Sequence, residues 1–169
     1  MRRGLRVLAG LFLILAAVSG WAAPPSLVGT WQLVSFEDKP ASGMAVVPFG
    51  PRPKGLLIYD ATGHMSIQIM QNPGPTVAAG DETKITPKEK LALFDAYVAY
   101  FGTYRVDAAK GIVTHHVEGD FHGVYVGRDE PRPFKLTGDR LVLTPTWTVG
   151  TEHWTGTRVF ERVPVNAAP

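Results

Sequence analysis

Cysteine is absent from the 169 residues. That excludes disulfides, thiolate metal sites and a lipid-bearing cysteine at the start of a mature chain. Chemical signatures are also scarce. No glycine-rich loop leads from a strand into a helix, and neither Gly-x-Ser-x-Gly nor His-Glu-x-x-His occurs. The phosphate cradle, the nucleophile elbow and the zinc-protease pair are therefore missing, and no cofactor or metal set is indicated. An excess of one charge is lacking too. The formal charge of +2 includes Arg2, Arg3 and Arg6, which lie in a segment expected to be removed. Without these three, 14 of the 17 basic residues remain against 15 acidic ones, a balance near −1 that argues against nucleic acid as a partner. Long hydrophobic runs are rare. The one present, Leu5 to Val18, is short for a membrane span.

That run follows a basic start and precedes small residues, with Gly20 and Ala22 placed for cleavage after Ala22. Residues 1–22 are therefore expected to be an export signal, leaving no stable membrane anchor and placing the mature protein in a periplasm or outside the cell. Cleavage after Ala23 is the alternative. Residues 23–163 read as one domain, and 164–169 as a flexible tail. What the chain has in quantity is glycine (18) and proline (14), a composition that favours many short strands joined by turns.

The opening strand is Leu27 to Phe36, which carries Gly29-x-Trp31, and Thr157 to Val163 is a β-rich run suited to pair with it. An antiparallel pairing that closes a barrel would bring Arg162 over the Trp31 indole. Glu37 to Met44 reads as a polar turn region. A hairpin follows, Leu56–Asp60 and His64–Met70, turning at Ala61-Thr62-Gly63. Its second arm alternates, with Met65, Ile67 and Ile69 on one face. A two- or four-residue loop would add Leu56 and Ile58 to that face and turn Tyr59 outward; a three-residue loop would reverse the first arm. Residues 71–85 form a loop. A helix then starts at Thr86 with a capping box to Glu89 and Pro87 at its first position; Leu91, Phe94 and Val98 keep helical spacing, and Gly102 ends it. Asp95 reads as solvated.

A second hairpin, Gly102–Val106 with Ile112–Glu118, pairs Val106 with Val113 and Tyr104 with His115. Neighbouring strand residues point to opposite sides, so His115 and His116 cannot both reach the lumen, which argues against a His-His metal chelate. The third hairpin, Phe134–Thr137 and Arg140–Thr144 around Gly138-Asp139, puts Phe134, Leu136, Leu141 and Leu143 inside, and Lys135 and Arg140 outside. The residues from Gly150 to Gly156 form a turn before the closing strand. The count is about eight or nine strands with one inserted α-helix: a mainly β, antiparallel barrel.

In Leu27–Phe36, Pro48-Phe49-Gly50, Gly55–Tyr59, Gly63–Ser66, Ala99–Tyr104, Val113–Gly119 and Phe160-Glu161-Arg162, the chain resembles the bacterial and fungal lipocalin-like domain family. The resemblance covers nearly the whole of the mature domain. It implies a calycin-type fold and a cavity, and supplies no catalytic residues. In this family the helix interrupts the strands, whereas in true lipocalins it follows them. Asp120 to Gly127 departs from the family's aromatic-and-proline stretch.

The expected ligand is a small apolar or amphipathic molecule, lined by Tyr104, His115, Ile58, Met65, Ile67, Val117 and Leu141. Two alternatives stay open. One is an isomerase, cyclase or lyase using His115 and Tyr104 as proton donor and acceptor. The other is a filled barrel acting through its surface. Oligomeric state is not legible.

Overall fold

The computed structural model describes residues 26–77 and 80–165. The proposed export signal, 1–22, and the end of the tail, from 166 on, lie outside the described residues. Among the described residues there are nine strands: β1 (Gly29–Pro40), β2 (Lys54–Tyr59), β3 (His64–Met70), β4 (Tyr97–Asp107), β5 (Ile112–Asp120), β6 (Asp129–Thr137), β7 (Arg140–Leu143), β8 (Thr146–Val149) and β9 (Glu152–Arg162). A helix, α1 (Pro87–Asp95), precedes β4. The strand order is β1-β2-β3-β4-β5-β6-β7-β9, and β1 pairs again with β9, closing an eight-stranded antiparallel barrel; β8 hangs on β9 as a ninth strand.

Closure works as the terminal patterns imply. Trp31 pairs with Arg162, whose guanidinium lies 4.1 Å from the centre of the indole ring. Arg162 also donates from Nη1 to the Val28 carbonyl and from Nη2 to the Ser26 carbonyl, tying the incoming chain across this end. The indole Nε1 donates to the Leu27 carbonyl at 2.8 Å, so a fully buried polar atom is satisfied. Around Trp31 pack Leu33, Leu57, Leu141 and Phe160, all buried.

The strands at this closure are longer than their composition suggests. β1 runs on through Glu37 to Pro40, and β9 begins at Glu152, because Pro40 pairs with Trp154 and Glu37 with Thr157. The expected turns at 37–44 and 150–156 are thus partly strand, with the β8–β9 turn centred on Gly150 and Thr151. A bulge between Leu33 and Ser35 shifts the register of β1 by one residue. As a result Trp31, Leu33, Phe36 and Asp38 share the inner face, which strict alternation would not allow.

Two other expectations are corrected. In the first hairpin Tyr59 pairs with Met65 and Leu57 with Ile67, so Leu57 and Tyr59 point inward while Ile58, paired with Ser66, is 37% exposed on the outside. The turn is the three-residue one, Ala61-Thr62-Gly63. Asp60 bonds its N–H to the His64 carbonyl, its Oδ1 accepts from the Thr62 and His64 amides, and Gly63 supplies a φ of 91°. The helix is also shorter than its spacing suggests. The Thr86–Glu89 capping box forms, but no helical residue is buried, Leu91 is 61% exposed, and Val98 and Gly102 belong to β4. Pairing with β3 on one side and β5 on the other outweighs helical propensity from Tyr97 onward. Gly102 is needed there because a Cβ would run into the backbone carbonyl of His116 across the β4–β5 bulge.

The second and third hairpins have the expected registers: Val106 opposite Val113, Tyr104 opposite His115, Phe134 opposite Leu143, and Leu136 opposite Leu141. The β2–β3, β4–β5 and β6–β7 turns lie at the Trp31 end of the barrel. The loops at 41–53, 71–77 and 121–128 lie at the other, with α1. There Phe94 of α1 packs on Phe121 (5.1 Å between ring centres) and His122 (4.5 Å), joining the helix to the 121–128 loop.

Candidate functional site

Inner-face residues fall into two tiers. At the turn end, Trp31, Leu33, Leu57, Met65, Ile67, Leu141 and Phe160 form a dry apolar base. Toward the helix end the wall becomes polar, and several of its side chains keep contact with solvent.

His115 stands at the boundary and is fully buried. The residue opposite it in the sheet, Tyr104, does not hydrogen-bond to it. Tyr104 donates its hydroxyl to the Asp60 carbonyl at 2.8 Å and contributes ring contact, with its centre 4.7 Å from that of Tyr59. The imidazole is held instead by two other tyrosines, one on β2 and one elsewhere along β4. The Tyr59 hydroxyl lies 2.7 Å from Nε2 and the Tyr100 hydroxyl 2.9 Å from Nδ1. Burial, aided by the positive charge of Arg132, pushes the His115 pKa down from 6.5 to about 3. The ring is therefore neutral at ordinary pH, with one nitrogen donating and the other accepting. Burial likewise raises the pKa of both Tyr59 and Tyr100, keeping the phenols protonated. With both ring nitrogens engaged, His115 has none left to act on a bound molecule.

The polar wall continues onto β6. Glu130 pairs with His115 and Arg132 with Val113, so both side chains share the inner face. Arg132 Nη1 lies 3.0 Å from Glu130 Oε2, and the guanidinium also reaches the Tyr100 hydroxyl. Burial pulls the Arg132 pKa down, but its interactions with Tyr100 and with the Glu130 carboxylate outweigh it and the net direction is up. On β9, Arg158 faces inward opposite Phe36 and Leu143. Its guanidinium lies 3.3 Å from the centre of the Phe36 ring, and Nη2 sits 2.6 Å from Asp38 Oδ1. That approach is off-line, so Asp38 Oδ1 gains charge attraction without a directed hydrogen bond. Burial lowers the Arg158 pKa against the pull of Asp38, and Arg132 lowers it further. Trp147 and Trp154 stack at 6.1 Å beside this arginine.

Of the residues expected to line a ligand, Met65, Ile67, Val117 and Leu141 are inside and buried, and His115 is inside and saturated. Tyr104 lies on the inner face near the turn end, and Ile58 lies outside. The residues not anticipated are Tyr59, Tyr100, Glu130, Arg132, Asp38 and Arg158. A signal for two of them was present: counting back by twos from the inward Phe134 reaches Arg132 and Glu130. Among the described residues no group of three or more His, Asp or Glu side chains is placed to hold a metal ion. His116 points outward and pairs with Asp129 at 2.9 Å.

Two clefts lie elsewhere. One of about 400 Å³ runs along Ser66, Gln68, Ala99 and Phe101 on the outer face, sharing Tyr100 with the inner wall. Another of about 560 Å³ separates Pro75 and Thr76 from α1. Both are shallow and open to solvent, and neither gathers the buried polar groups.

A family model described as a lipocalin-like domain matches residues 28–163. Searches of curated proteins and of solved structures returned no match.

Proposed function

Starting from the lipocalin-like domain family, to which this chain belongs, we propose that the barrel carries a small apolar or amphipathic molecule in the upper half of its lumen. Lipocalin-like barrels are of a kind that binds small hydrophobic molecules. The observation that carries the reading here is the division of the inner wall. The base is packed dry, while Tyr100, Arg132, Arg158, Phe134 and Val98 on the same face remain only partly buried. An apolar body would rest against Val98 and Phe134, and a polar group would meet the tyrosine and arginines. The saturated, neutral His115 serves as a strut between β2, β4 and β5, which favours carriage over proton-transfer catalysis.

We propose also that the protein works after export, with residues 1–22 removed. Its natural ligand would then come from the periplasm or surroundings. Native mass spectrometry of protein isolated from its own host tests carriage directly. The expected result is a bound small molecule released on unfolding. Protein that is uniformly empty and takes up no apolar or amphipathic compound would refute the reading.

A further inference from the structure

We propose that the molecule held in the barrel is an apolar carboxylic acid, its carboxylate seated between Arg132 and Arg158 with the indole N–H of Trp154 as a further donor. This rests on the reading of the barrel as a carrier.

Three observations converge. The first is an excess of donors. Arg132 spends Nη1 on Glu130 and on the Pro131 carbonyl and meets Tyr100; Arg158 spends Nη1 on the Glu37 carbonyl and Nη2 on Asp38. A guanidinium carries more N–H donors than these partners use. The second is an orphan. Trp154 Nε1 is buried with no acceptor, on the strand that carries Arg158 and beside the stacked Trp147. A buried N–H without a partner costs about 1–3 kcal/mol, so a ligand acceptor that reaches it gains specificity as well as affinity. The third is repulsion. Arg158 lies opposite Leu143, Leu143 lies opposite Phe134, and Arg132 is two residues before Phe134 on the same face, so the two guanidinium groups face one stretch of the interior; consistent with this, the charge of Arg132 disfavours that of Arg158. Their side chains are 18% and 12% exposed, so water screens them weakly.

The complement to surplus donors and paired positive charges is a group that only accepts and is negative. A carboxylate has these properties, and its planar shape matches a guanidinium fork. The wall around the arginines sets the rest of the ligand. Phe134 and Val98, only partly buried, offer apolar surface, and Phe36 and Leu143 pack behind them; no second cluster of buried charge faces them among the described inner residues. The internal carboxylates Glu130 and Asp38 balance the two arginines. An incoming acid would thus compete with Asp38, whose ion pair lacks hydrogen-bond alignment, more readily than with Glu130.

The test compares two probes of equal length, decanoate and decanol, on the full mature chain near neutral pH. Quenching of tryptophan emission reports binding, since Trp147 and Trp154 flank the site, and calorimetry confirms it. Decanoate is expected to bind at least roughly tenfold more tightly than decanol, about 1.4 kcal/mol. In the paired substitution Arg132→Met with Glu130→Gln, which leaves no unpaired charge behind, the acid-to-alcohol ratio is expected to fall toward one. Trp154→Phe, which keeps the stack and removes the donor, is expected to lower the ratio severalfold and serves if the paired variant fails to fold. Equal affinity of wild-type protein for the two probes would overturn the carboxylate inference while leaving carriage intact. Binding of neither probe would overturn both.

Discussion

His115 makes the structure accountable to a pH measurement. In the folded barrel burial, helped by Arg132, holds its pKa at about 3, against an ordinary value of 6.5. A histidine with a depressed folded pKa binds protons more readily when unfolded. Its contribution to stability is therefore complete above the unfolded value and is lost as pH falls below it, levelling off only beneath the folded value. Between about pH 7 and about pH 5 the unfolded imidazole takes up a proton and the folded one does not. The loss over that window is about 2 kcal/mol, from about 1.4 kcal/mol per pH unit below the unfolded pKa. Set against a typical domain stability of about 5–15 kcal/mol, this is readily measured. The depressed carboxylates, among them Asp60, Asp107 and Asp129, contribute with the same sign but lower down, where pH falls through the carboxylate range. Urea melts of wild type and His115→Gln at several pH values isolate the effect, because the other four histidines are common to both proteins. Gln retains a donor and an acceptor for the two tyrosines, so the variant should fold, less stable at neutral pH but flatter below it. If wild type and variant lost stability in parallel from about pH 7 to 5, His115 would be charged or wetted in the folded state. The strut described above would then be wrong.

Three further outcomes are expected. Trp31→Ala should cost about 3–5 kcal/mol in denaturant melts, because it empties a fully buried indole position and leaves Arg162 without its ring; a change near zero would contradict barrel closure at β1 and β9. Tyr59→Phe should cost about 1–3 kcal/mol by leaving His115 Nε2 unpaired in the core, whereas Tyr104→Phe should cost less than about 1 kcal/mol, since water can replace its bond to the Asp60 carbonyl. The reverse order would restore Tyr104 as the partner of His115. Intact-mass analysis of protein from the envelope or medium should find a chain lacking residues 1–22, and full-length protein held in a membrane fraction would refute export.

Much of the barrel is legible in the residues themselves, for a physical reason. Where alternation meets an unambiguous turn, register follows from counting. Gly138-Asp139 sets Leu136 against Leu141, and Asp107–Gly111 sets Val106 against Val113 and hence Tyr104 against His115. The capping box at Thr86 and Glu89 is a local contact three residues apart and is readable for the same reason. So is the pairing of the first strand with the last, because a closed sheet leaves neither an open edge.

What the tertiary structure decided is which face each strand presents and what each polar group finds there. The Ala61–Gly63 turn admits two registers, and only the sheet chose the one that turns Tyr59 inward and Ile58 outward. The bulge after Leu33 reverses the parity of β1 at a point its residues do not mark, carrying Asp38 inside to meet Arg158. Tyr100 has helical neighbours in sequence, yet pairing on both sides draws it into β4, where its hydroxyl reaches across to His115. Opposed Cα atoms say which residues are near one another. They do not say which hydroxyl meets which nitrogen, because a tyrosine's reach spans neighbouring strands and the choice among acceptors depends on packing. Tyr104 therefore faces His115 while Tyr59 and Tyr100 hold it.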